Sequence, residues 1–451
     1  MKEGSTEAPT RHVIPWQDPA YTDMDRVLAE MTRVFDICHG CRRCFNLCDS
    51  FPRLFDLIDD SATGELDSVS TDDYKPIVDA CTLCDMCFMT KCPYVPPHDF
   101  DLDFPHLMLR FRAAEHHAKG PDFAIGQLTR TDRNGKLARH AAPIANWASK
   151  RGNRVTRPAM EAVAGIHRDA VLPKFHGKTF EVQAKERPSR IDTEAPAHGR
   201  KAVLYATCFV NYNNPDIGVA AHEVLARNGV ETEVVYPECC GMPQFEQGDL
   251  SEVATKAKAV AAALGPWIDR GYDIIALTPS CALMLKFDWP LIVSDDRAVQ
   301  RLSEATSDIT EYIVDIARKE GLADGLKPLE GGVALHLACH ARAQNMGPKA
   351  ADMLRCIPDT EVTVIDRCSG HGGSWGIMKE NFEVALKVGR PVVRQAVESG
   401  CAHVASECPL AAEHILQGLE RLDDAPAFNR APHPVELFAQ AYGIDPQHRE
   451  G

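Results

Sequence analysis

The sequence contains no apolar run long enough to cross a lipid bilayer. No stretch approaches the roughly 18 uninterrupted apolar residues that indicate a transmembrane helix. The first residues, MKEGSTEAPTRHVIPWQDP, also lack the apolar core of a Sec-type signal peptide. We therefore expect a cytoplasmic protein in a reducing compartment, without a membrane span.

The sequence also lacks a nucleotide-binding fingerprint and any overall excess of positive charge. Gly370-His371-Gly372-Gly373 fits neither a P-loop nor a G-x-G-x-x-G pattern, so no bound nucleotide is expected. The net charge of −15, from 49 basic and 64 acidic residues, argues against a nucleic-acid partner. A length of 451 residues with 45% apolar residues is typical of a globular chain of two to four domains.

Cysteine, by contrast, is abundant and clustered. The chain has 17 cysteines, and the odd number excludes complete intramolecular disulfide pairing. Eight lie between Cys38 and Cys92, and the other nine lie beyond residue 200. In a reducing compartment, such clusters usually indicate metal binding or redox chemistry.

The first eight cysteines form two dense motifs, C-x2-C-x2-C-x3-C and C-x2-C-x2-C-x4-C. The members are Cys38, Cys41, Cys44 and Cys48, and then Cys81, Cys84, Cys87 and Cys92. Three cysteines at three-residue steps can surround one cubane cluster, and a fourth thiolate must come from elsewhere. Structural zinc sites usually use separated C-x2-C pairs. The spacing therefore favours two [4Fe-4S] clusters over zinc.

Both motifs resemble the cysteine run of bacterial two-cluster ferredoxins. That resemblance implies crossed ligand sets, in which Cys92 completes the first cluster and Cys48 completes the second. The sequence departs from the ferredoxin pattern in two places. Asp49 replaces the usual proline after the first motif, and one extra residue precedes Cys92.

The chain beyond residue 200 contains a repeat of about 130 residues, judged by its cysteines. Cys208 and Cys339, Cys239 and Cys368, and Cys281 and Cys408 are separated by 131, 129 and 127 residues. Each of these cysteines ends or follows a predicted strand; the strands are 201–208, 230–241, 272–281, 331–339, 360–370 and 402–408. Two β-α-β-α-β units with parallel sheets are predicted, with the cysteines at the carboxyl ends of the strands.

Cys239-Cys240-Gly241 resembles the CCG signature of the cysteine-rich domain of heterodisulfide reductases. The same domain occurs in iron–sulfur subunits of anaerobic glycerol-3-phosphate dehydrogenase and of glycolate and lactate oxidases. Its pattern is a lone Cys, then CCG, then C-x2-C. Here Met284 and Ala411 stand where the last cysteine of each repeat would fall, and Ser369 replaces one cysteine of the second CCG.

By this resemblance the two repeats offer unequal cofactor sites. The first keeps four thiolates, Cys208, Cys239, Cys240 and Cys281, which are enough for a third iron–sulfur centre. The second keeps three, Cys339, Cys368 and Cys408, with His336, His340 and His371 close by in sequence. That second site is compatible with a cluster completed by imidazole, with zinc, with a substrate or quinone, or with no ligand. Cys356 and Cys401 lie outside the pattern and are interpreted as core cysteines.

These observations predict four segments. Residues 1–105 form an α+β, mostly helical, two-cluster ferredoxin-like domain, and 106–200 form a basic helical connector. Residues 201–330 and 331–451 form tandem α/β cysteine-rich repeats with parallel sheets. Between His106 and Arg190 there are 17 Lys and Arg residues against 7 Asp and Glu. This stretch is either a solvated set of helices or a docking surface for an acidic partner or anionic lipids at the inner face of the cytoplasmic membrane.

The order of the segments resembles the iron–sulfur subunit of anaerobic glycerol-3-phosphate dehydrogenase, a type of heterodisulfide-reductase-related protein. The resemblance implies a protein that passes electrons from a partner flavoprotein dehydrogenase to a quinone or another redox protein, such as a rubrerythrin-like protein. The chain has no flavin fingerprint of its own, and a partner flavin would convert two-electron oxidation into one-electron steps. Two alternatives are a disulfide or polysulfide reductase of the heterodisulfide reductase type and an iron–sulfur sensor or scaffold. No catalytic residue is identified.

Overall fold

A computed structural model describes residues 8–422 and 426–445 as a mixed α/β protein, about half helical, with two small parallel sheets. Residues 1–7 of the predicted first domain, and 423–425 and 446–451 of the predicted second repeat, lie outside the described residues. Among the described residues, no helix is both long enough and apolar enough to span a membrane.

Ten α-helices precede the first strand among the described residues 8–200. They are α1 (Met24–Cys41), α2 (Ser50–Asp59), α3 (Lys75–Ala80), α4 (Met86–Thr90), α5 (Phe104–Lys119), α6 (Phe123–Leu128), α7 (Thr131–Ala138), α8 (Ala142–Ser149), α9 (Thr156–Ala164) and α10 (Phe180–Glu186). Helix α1 begins where the Asp23 side chain accepts a hydrogen bond from the Arg26 N–H. Helix α5 crosses the predicted boundary at residue 105 and packs on α1.

The first sheet has four parallel strands. They are β1 (Lys201–Tyr205), β2 (Glu231–Val235), β3 (Asp273–Ala276) and β4 (Thr306–Asp308), in the order β2-β1-β3-β4. The helices between β1 and β5 are α11 (Cys208–Tyr212), α12 (Pro215–Arg227), α13 (Met242–Phe245), α14 (Leu250–Ile268), α15 (Pro279–Leu283), α16 (Trp289–Ile292), α17 (Arg297–Ala305) and α18 (Ile309–Lys319). A π-helical turn, Met284–Asp288, links α15 to α16.

The second sheet has three parallel strands. They are β5 (Val333–His336), β6 (Val362–Ile365) and β7 (His403–Ser406), in the order β6-β5-β7. Its helices are α19 (Cys339–Ala343), α20 (Lys349–Leu354), α21 (Phe382–Glu398), α22 (Pro409–Leu419) and α23 (Pro434–Ala441). The first strand of each sheet along the chain, β1 or β5, therefore pairs with the next two strands along the chain.

The core is layered because strand side chains alternate between the two faces of a sheet. Val203 and Tyr205 of β1 join a core shared with the N-terminal helices. Ala202 and Leu204 face the opposite side and join a core that includes Val333 of the second sheet. Strand β1 is thus buried on both faces, which agrees with its nearly continuous apolar sequence.

All six predicted strands are confirmed, each shorter than its predicted range. The six repeat cysteines follow the strands within two to five residues, at the carboxyl edges of the sheets. Strand β4 was not predicted. Its three residues, Thr306-Ser307-Asp308, contain no apolar run, and their pairing with β3 is set by tertiary packing.

Candidate metal centres

The first cavity brings together cysteines from both dense motifs. Cys38, Cys41, Cys44 and Cys92, here called site A, line about 310 Å³ of space free of protein atoms, solvent at its mouth included. Helix α1 carries the first two and ends at Arg42, whose left-handed backbone (φ 53°) turns the chain toward Cys44. The fourth thiol comes from the second motif, as the ferredoxin resemblance implies.

The second cavity contains the complementary set. Site B consists of Cys48, Cys81, Cys84 and Cys87, which line about 280 Å³ of space free of protein atoms, again including open solvent. Left-handed backbone at Leu83 (φ 49°) and Asp85 (φ 64°) curves this loop around the cavity. Arg112 of α5 ties the loop down through the carbonyl groups of Val78, at 2.7 Å, and Cys81.

Both sites suit a thiolate-bound cationic cluster. Burial, followed by the neighbouring thiols, raises the pKa of Cys44 and of Cys84 to about 12, so four thiolates need a strong positive charge between them. Apolar side chains such as Phe51 and Phe104 form the walls. Across residues 8–422 and 426–445, no three Cys, His, Asp or Glu side chains converge closely enough to bind one metal ion. The thiols surround a space, and four cysteines are the donor set of iron–sulfur clusters.

Four cysteines of the first repeat also meet, at the carboxyl edge of the first sheet. In this group, site C, the Sγ atoms of Cys239 and Cys208 are 3.6 Å apart, and those of Cys281 and Cys240 are 3.2 Å apart. Three of the four are buried, and Cys208 is half-buried. Trp289 donates from its indole N–H to the Cys240 carbonyl at 3.1 Å.

Helix α7, in the segment 106–200, lies over site C. The sequence did not predict this contact. Asp132 of α7 accepts a hydrogen bond from the Cys239 backbone N–H at 3.1 Å, although the two residues are 107 positions apart. The same carboxylate contacts Lys256 at 3.3 Å and accepts from the Tyr236 hydroxyl. The Thr131 hydroxyl faces Cys208 and Cys239. No local motif marks these residues, because only the tertiary fold brings α7 here.

Three cysteines of the second repeat, Cys339, Cys368 and Cys408, are here called site D. They lie beside site B. Burial, followed by Cys84, Cys368 and Cys408, raises the pKa of the Cys339 thiol, which places these groups near one another. Cys368 is exposed, whereas Cys339 and Cys408 are half-buried. Leu283 and Met86 pack around Cys84 and Cys339.

The three histidines predicted near site D differ in their hydrogen bonds. His336 contacts Ser406 Oγ at 2.9 Å and the Arg367 carbonyl at 3.1 Å. His340 contacts Ser280 Oγ at 2.8 Å and the Leu83 carbonyl at 3.4 Å. His371 is buried, and in the described part of the chain neither of its ring nitrogens has a partner. Of the three, His371 alone keeps its ring nitrogens free for a ligand.

The two cysteines outside the repeat pattern lie in different environments. Cys401 is buried, with its Sγ 3.8 Å from Thr363 Oγ1, and its interpretation as a core cysteine is confirmed. Cys356 is exposed, so the same interpretation is wrong for that residue. It follows the last turn of α20, where the chain turns out toward solvent.

Comparison with known proteins agrees with this geometry. The sequence model of the cysteine-rich (CCG) domain matches residues 202–286, the segment that contains all of site C. Lactate utilization protein A of Bacillus pumilus is 30% identical over 188 residues, which are 39% of this chain and 75% of that relative. The chain belongs to the CCG cysteine-rich family of heterodisulfide-reductase-related iron–sulfur proteins.

Two other members of the family extend the comparison. A subunit of the anaerobic glycerol-3-phosphate dehydrogenase of Escherichia coli K12 is 27% identical over 348 residues, 76% of this chain and 82% of the relative. A subunit of the fumarate reductase (CoM/CoB) of Methanothermobacter marburgensis is 28% identical over 255 residues, 55% of this chain and 47% of the relative. These relatives, with the CCG domain, support an iron–sulfur protein with an electron-transfer role.

Proposed function

We propose that this CCG protein is the electron-transfer subunit of a dehydrogenase complex. It carries electrons between a partner flavoprotein dehydrogenase and a downstream acceptor, either a quinone or another redox protein. The observation that carries the proposal is the sorting of eight N-terminal thiols into two cavities of four, beside a third group of four. The relatives that are dehydrogenase subunits support the same role.

Sites A and B would each hold one [4Fe-4S] cluster through crossed ligands, and site C would hold a third iron–sulfur centre. Such clusters supply one-electron transfer when bound. The protein's own contribution is to fix the thiolates and exclude water. Phe51 lies in the walls of both N-terminal cavities, and Asp132 with α7 covers site C.

The arrangement of the sites supports a continuous path. The pKa of Cys87 in site B is raised by burial and by nearby thiols, including Cys44 of site A and Cys48 of its own site. The Cys84 thiol, also in site B, likewise raises the pKa of Cys339 in site D. Ser280, next to Cys281 of site C, contacts His340, which reaches the Leu83 carbonyl in site B. Site B is thus the middle of the group and site A is one end.

We further propose that the two sheets are tandem repeats, with the segment boundaries predicted from the sequence. The matching strand orders β2-β1-β3 and β6-β5-β7 support this proposal. So does the position of the cysteines, which follow equivalent strands in both units.

A second function, disulfide or polysulfide reduction, is favoured by one observation at site D. Cys368 is solvent-exposed, and its thiol raises the pKa of Cys48 and of Cys84 in site B. A disulfide substrate could therefore reach a thiol beside a proposed cluster site. Oxidation of the reduced protein by an added disulfide, at turnover rates lost in Cys368→Ser, would support this function. Oxidation at an unchanged rate in that variant would exclude it.

We also propose a peripheral location at the cytoplasmic face of a membrane. Of the nine large apolar side chains exposed among the described residues, six lie on or beside α6–α9: Phe123, Leu137, Ile144, Trp147, Val155 and Val163. Exposed basic residues are interleaved with them, as in helices that lie on anionic lipid surfaces. Salt-dependent flotation with anionic vesicles, lost in Ile144→Ser/Trp147→Ser, tests this; no flotation of the parent protein at low salt contradicts it.

The experiment that tests the main proposal is anaerobic purification followed by iron and sulfide counting with EPR. About eight irons per chain indicate clusters at sites A and B, and about twelve add site C. Affinity capture from the native host should also recover a flavoprotein. A correctly folded, iron-free protein, made without oxygen, would overturn the proposal.

A further inference from the structure

Site A differs from the other two four-cysteine sites, B and C, in its exposure. All four of its cysteines are partly exposed, whereas Cys81 and Cys87 in site B and three cysteines in site C are buried. Site A is also at the end of the connected group. Because electron transfer weakens steeply with distance, a partner must approach the site nearest the surface. Of the three four-cysteine sites, site A is therefore the one that a second protein can approach most closely.

An exposed aromatic side chain stands beside the mouth of site A. Phe45 follows Cys44 directly, and its side chain is 53% exposed. Its ring stacks on Phe55, one of the residues lining the cavity, with the ring centres 6.2 Å apart and an angle of 19° between the planes. Aromatic side chains are enriched at the apolar centre of protein–protein interfaces.

The same mouth carries positive charge on an otherwise acidic protein. Arg43 lines the cavity of site A directly before Cys44, and Lys91 directly precedes Cys92; both residues are exposed. Neither has an ion-pair partner among the residues that the structure describes, whereas Arg42 is neutralised by Asp59. The whole chain has a net charge of −15. The two cations therefore place unpaired positive charge at this mouth, on a molecule whose net charge is negative.

We propose that Phe45, Arg43 and Lys91 form the electron port of the protein and dock an acidic face of the partner flavoprotein. This rests on the proposed electron-transfer function and adds the surface and the charge of the partner. The flavin hydroquinone of the partner would lose two electrons and two protons. The electrons pass singly at site A and leave to the downstream acceptor, and the protons are released to water on the partner's side.

Charge reversal tests the port with defined inorganic probes. The dithionite-reduced holoprotein is mixed with hexacyanoferrate(III), an anion, or hexaamminecobalt(III), a cation, at several ionic strengths. The anion should oxidise the protein at a rate that falls with salt. In Arg43→Glu/Lys91→Glu, oxidation by the anion should be about tenfold slower at low salt, and oxidation by the cation should be faster, because electrostatic steering follows the local charge. The matched control, Lys258→Glu/Arg297→Glu, reverses two exposed charges on α14 and α17 and should leave both rates near those of the parent.

Two further measurements do not depend on turnover. Redox-inert hexacyanochromate(III) should broaden the 19F NMR line of fluorinated Phe45, identified by its absence in Phe45→Leu, and should not do so in Arg43→Glu/Lys91→Glu. The flavoprotein recovered by affinity capture should bind the control variant normally and the port variant at least about tenfold more weakly.

The possible failures are distinguishable. Loss of iron from the parent protein would overturn the proposed function itself. With iron content intact, equal rates in the port and control variants would overturn the port alone. Unchanged flavoprotein affinity in the port variant, or a dimer in which a second copy of the chain covers Phe45, would also overturn it.

Discussion

At the scale of single residues, the structure adds most on the fourth cysteine of sites A and B. The spacing of the motifs predicts three thiolates for each cluster, and the resemblance to ferredoxins implies the exchange of the fourth. The cavities group Cys92 with the first motif and Cys48 with the second. This grouping makes the two cluster sites interdependent, because each motif closes the other's cavity.

The crossed grouping predicts which variants share a spectroscopic phenotype. Cys48→Ser should remove about four irons and the same EPR signal that Cys84→Ser removes, because metal binding and local folding are coupled. Iron counting and EPR on anaerobic samples check this. Exposed Cys356 provides the control, since Cys356→Ser should keep all iron. If Cys48→Ser instead removes the signal lost in Cys41→Ser, the ligands are not crossed.

Asp288 predicts a pH dependence of stability. Its side chain is buried, and Oδ2 has no hydrogen-bond partner among the described residues. Burial, followed by repulsion from Asp85, raises its pKa from an ordinary 3.8 to about 8. The folded protein therefore holds a proton that the unfolded chain has released, and stability falls as the pH rises from 3.8 toward 8.

Asp288→Asn should remove this dependence. The variant should unfold at a higher temperature than the parent near pH 8, and the difference should shrink as the pH is lowered. Thermal unfolding of the iron-loaded protein at several pH values measures it. Asp295→Asn removes an exposed carboxylate nearby in sequence and should leave the slope unchanged. Parallel curves for the parent and Asp288→Asn would show that the carboxyl is not protonated in the folded state.

At the scale of elements, the loop after β6 depends on a glycine that no other residue can replace. Gly370 has φ +79°, and a Cβ there would stand 2.0 Å from the Ala385 carbonyl of α21. Gly443 has a similar φ of +76° but has nothing within 4 Å of the added carbon. A residue with a side chain would meet similar backbone strain at both positions, which differ only in the space around the added carbon.

Replacing each glycine by alanine separates strain from crowding. Gly443→Ala should lower the free energy of unfolding by about 1–2 kcal/mol, the cost of a left-handed non-glycine residue. Gly370→Ala should cost more, because α21 must move away, and it should make Cys368 easier to alkylate. Urea unfolding and thiol labelling measure the two effects. Equal losses at both positions would show that the loop accommodates the methyl group by a small shift.

The elements that could be predicted are those with a local signal. The strands that lead to Cys208 and Cys339 were recognisable because each is an apolar run that ends near a cysteine. Strand β4 has no such run, and its pairing with β3 depends on contacts that form only in the folded chain. The π-helical turn before Trp289 likewise has no sequence signature.

At the scale of the whole molecule, the sites show the same limit. The cysteines of sites A and B could be predicted because they lie within two short motifs, and those of site C could be predicted from the repeat. Asp132 could not, since its contact with Cys239 joins residues 107 positions apart. The thiols are thus visible in the sequence, whereas the residues that cover and orient them come together only in the folded chain.

The N-terminal arm holds the separate parts of the molecule together. Arg11 forms two hydrogen bonds of 2.8 Å to Asp85 in the site B loop and one of 2.9 Å to Asp103 at the start of α5. Farther along the arm, the Ile14 N–H donates to the Leu291 carbonyl at 2.8 Å, and the Trp16 indole donates to Ile292 at 2.9 Å. This N-terminal arm, residues 11–16, therefore joins the site B loop to helix α16 of the first sheet's unit.

Arg11→Met should loosen this junction and site B together. The substitution leaves Asp85, whose side chain is 7% exposed, as a buried charge without its main partner, which typically costs about 3–5 kcal/mol. The variant should unfold at a lower temperature and release iron to a chelator faster than the parent protein. Arg301→Met is the matched control. Its partner Asp269 lies 2.6 Å away, but both side chains are more than half exposed, so the loss should stay below about 1 kcal/mol. Equal losses in the two variants would mean that the buried pair does not hold the arm, and iron release at the parent's rate would mean that the arm does not stabilise site B.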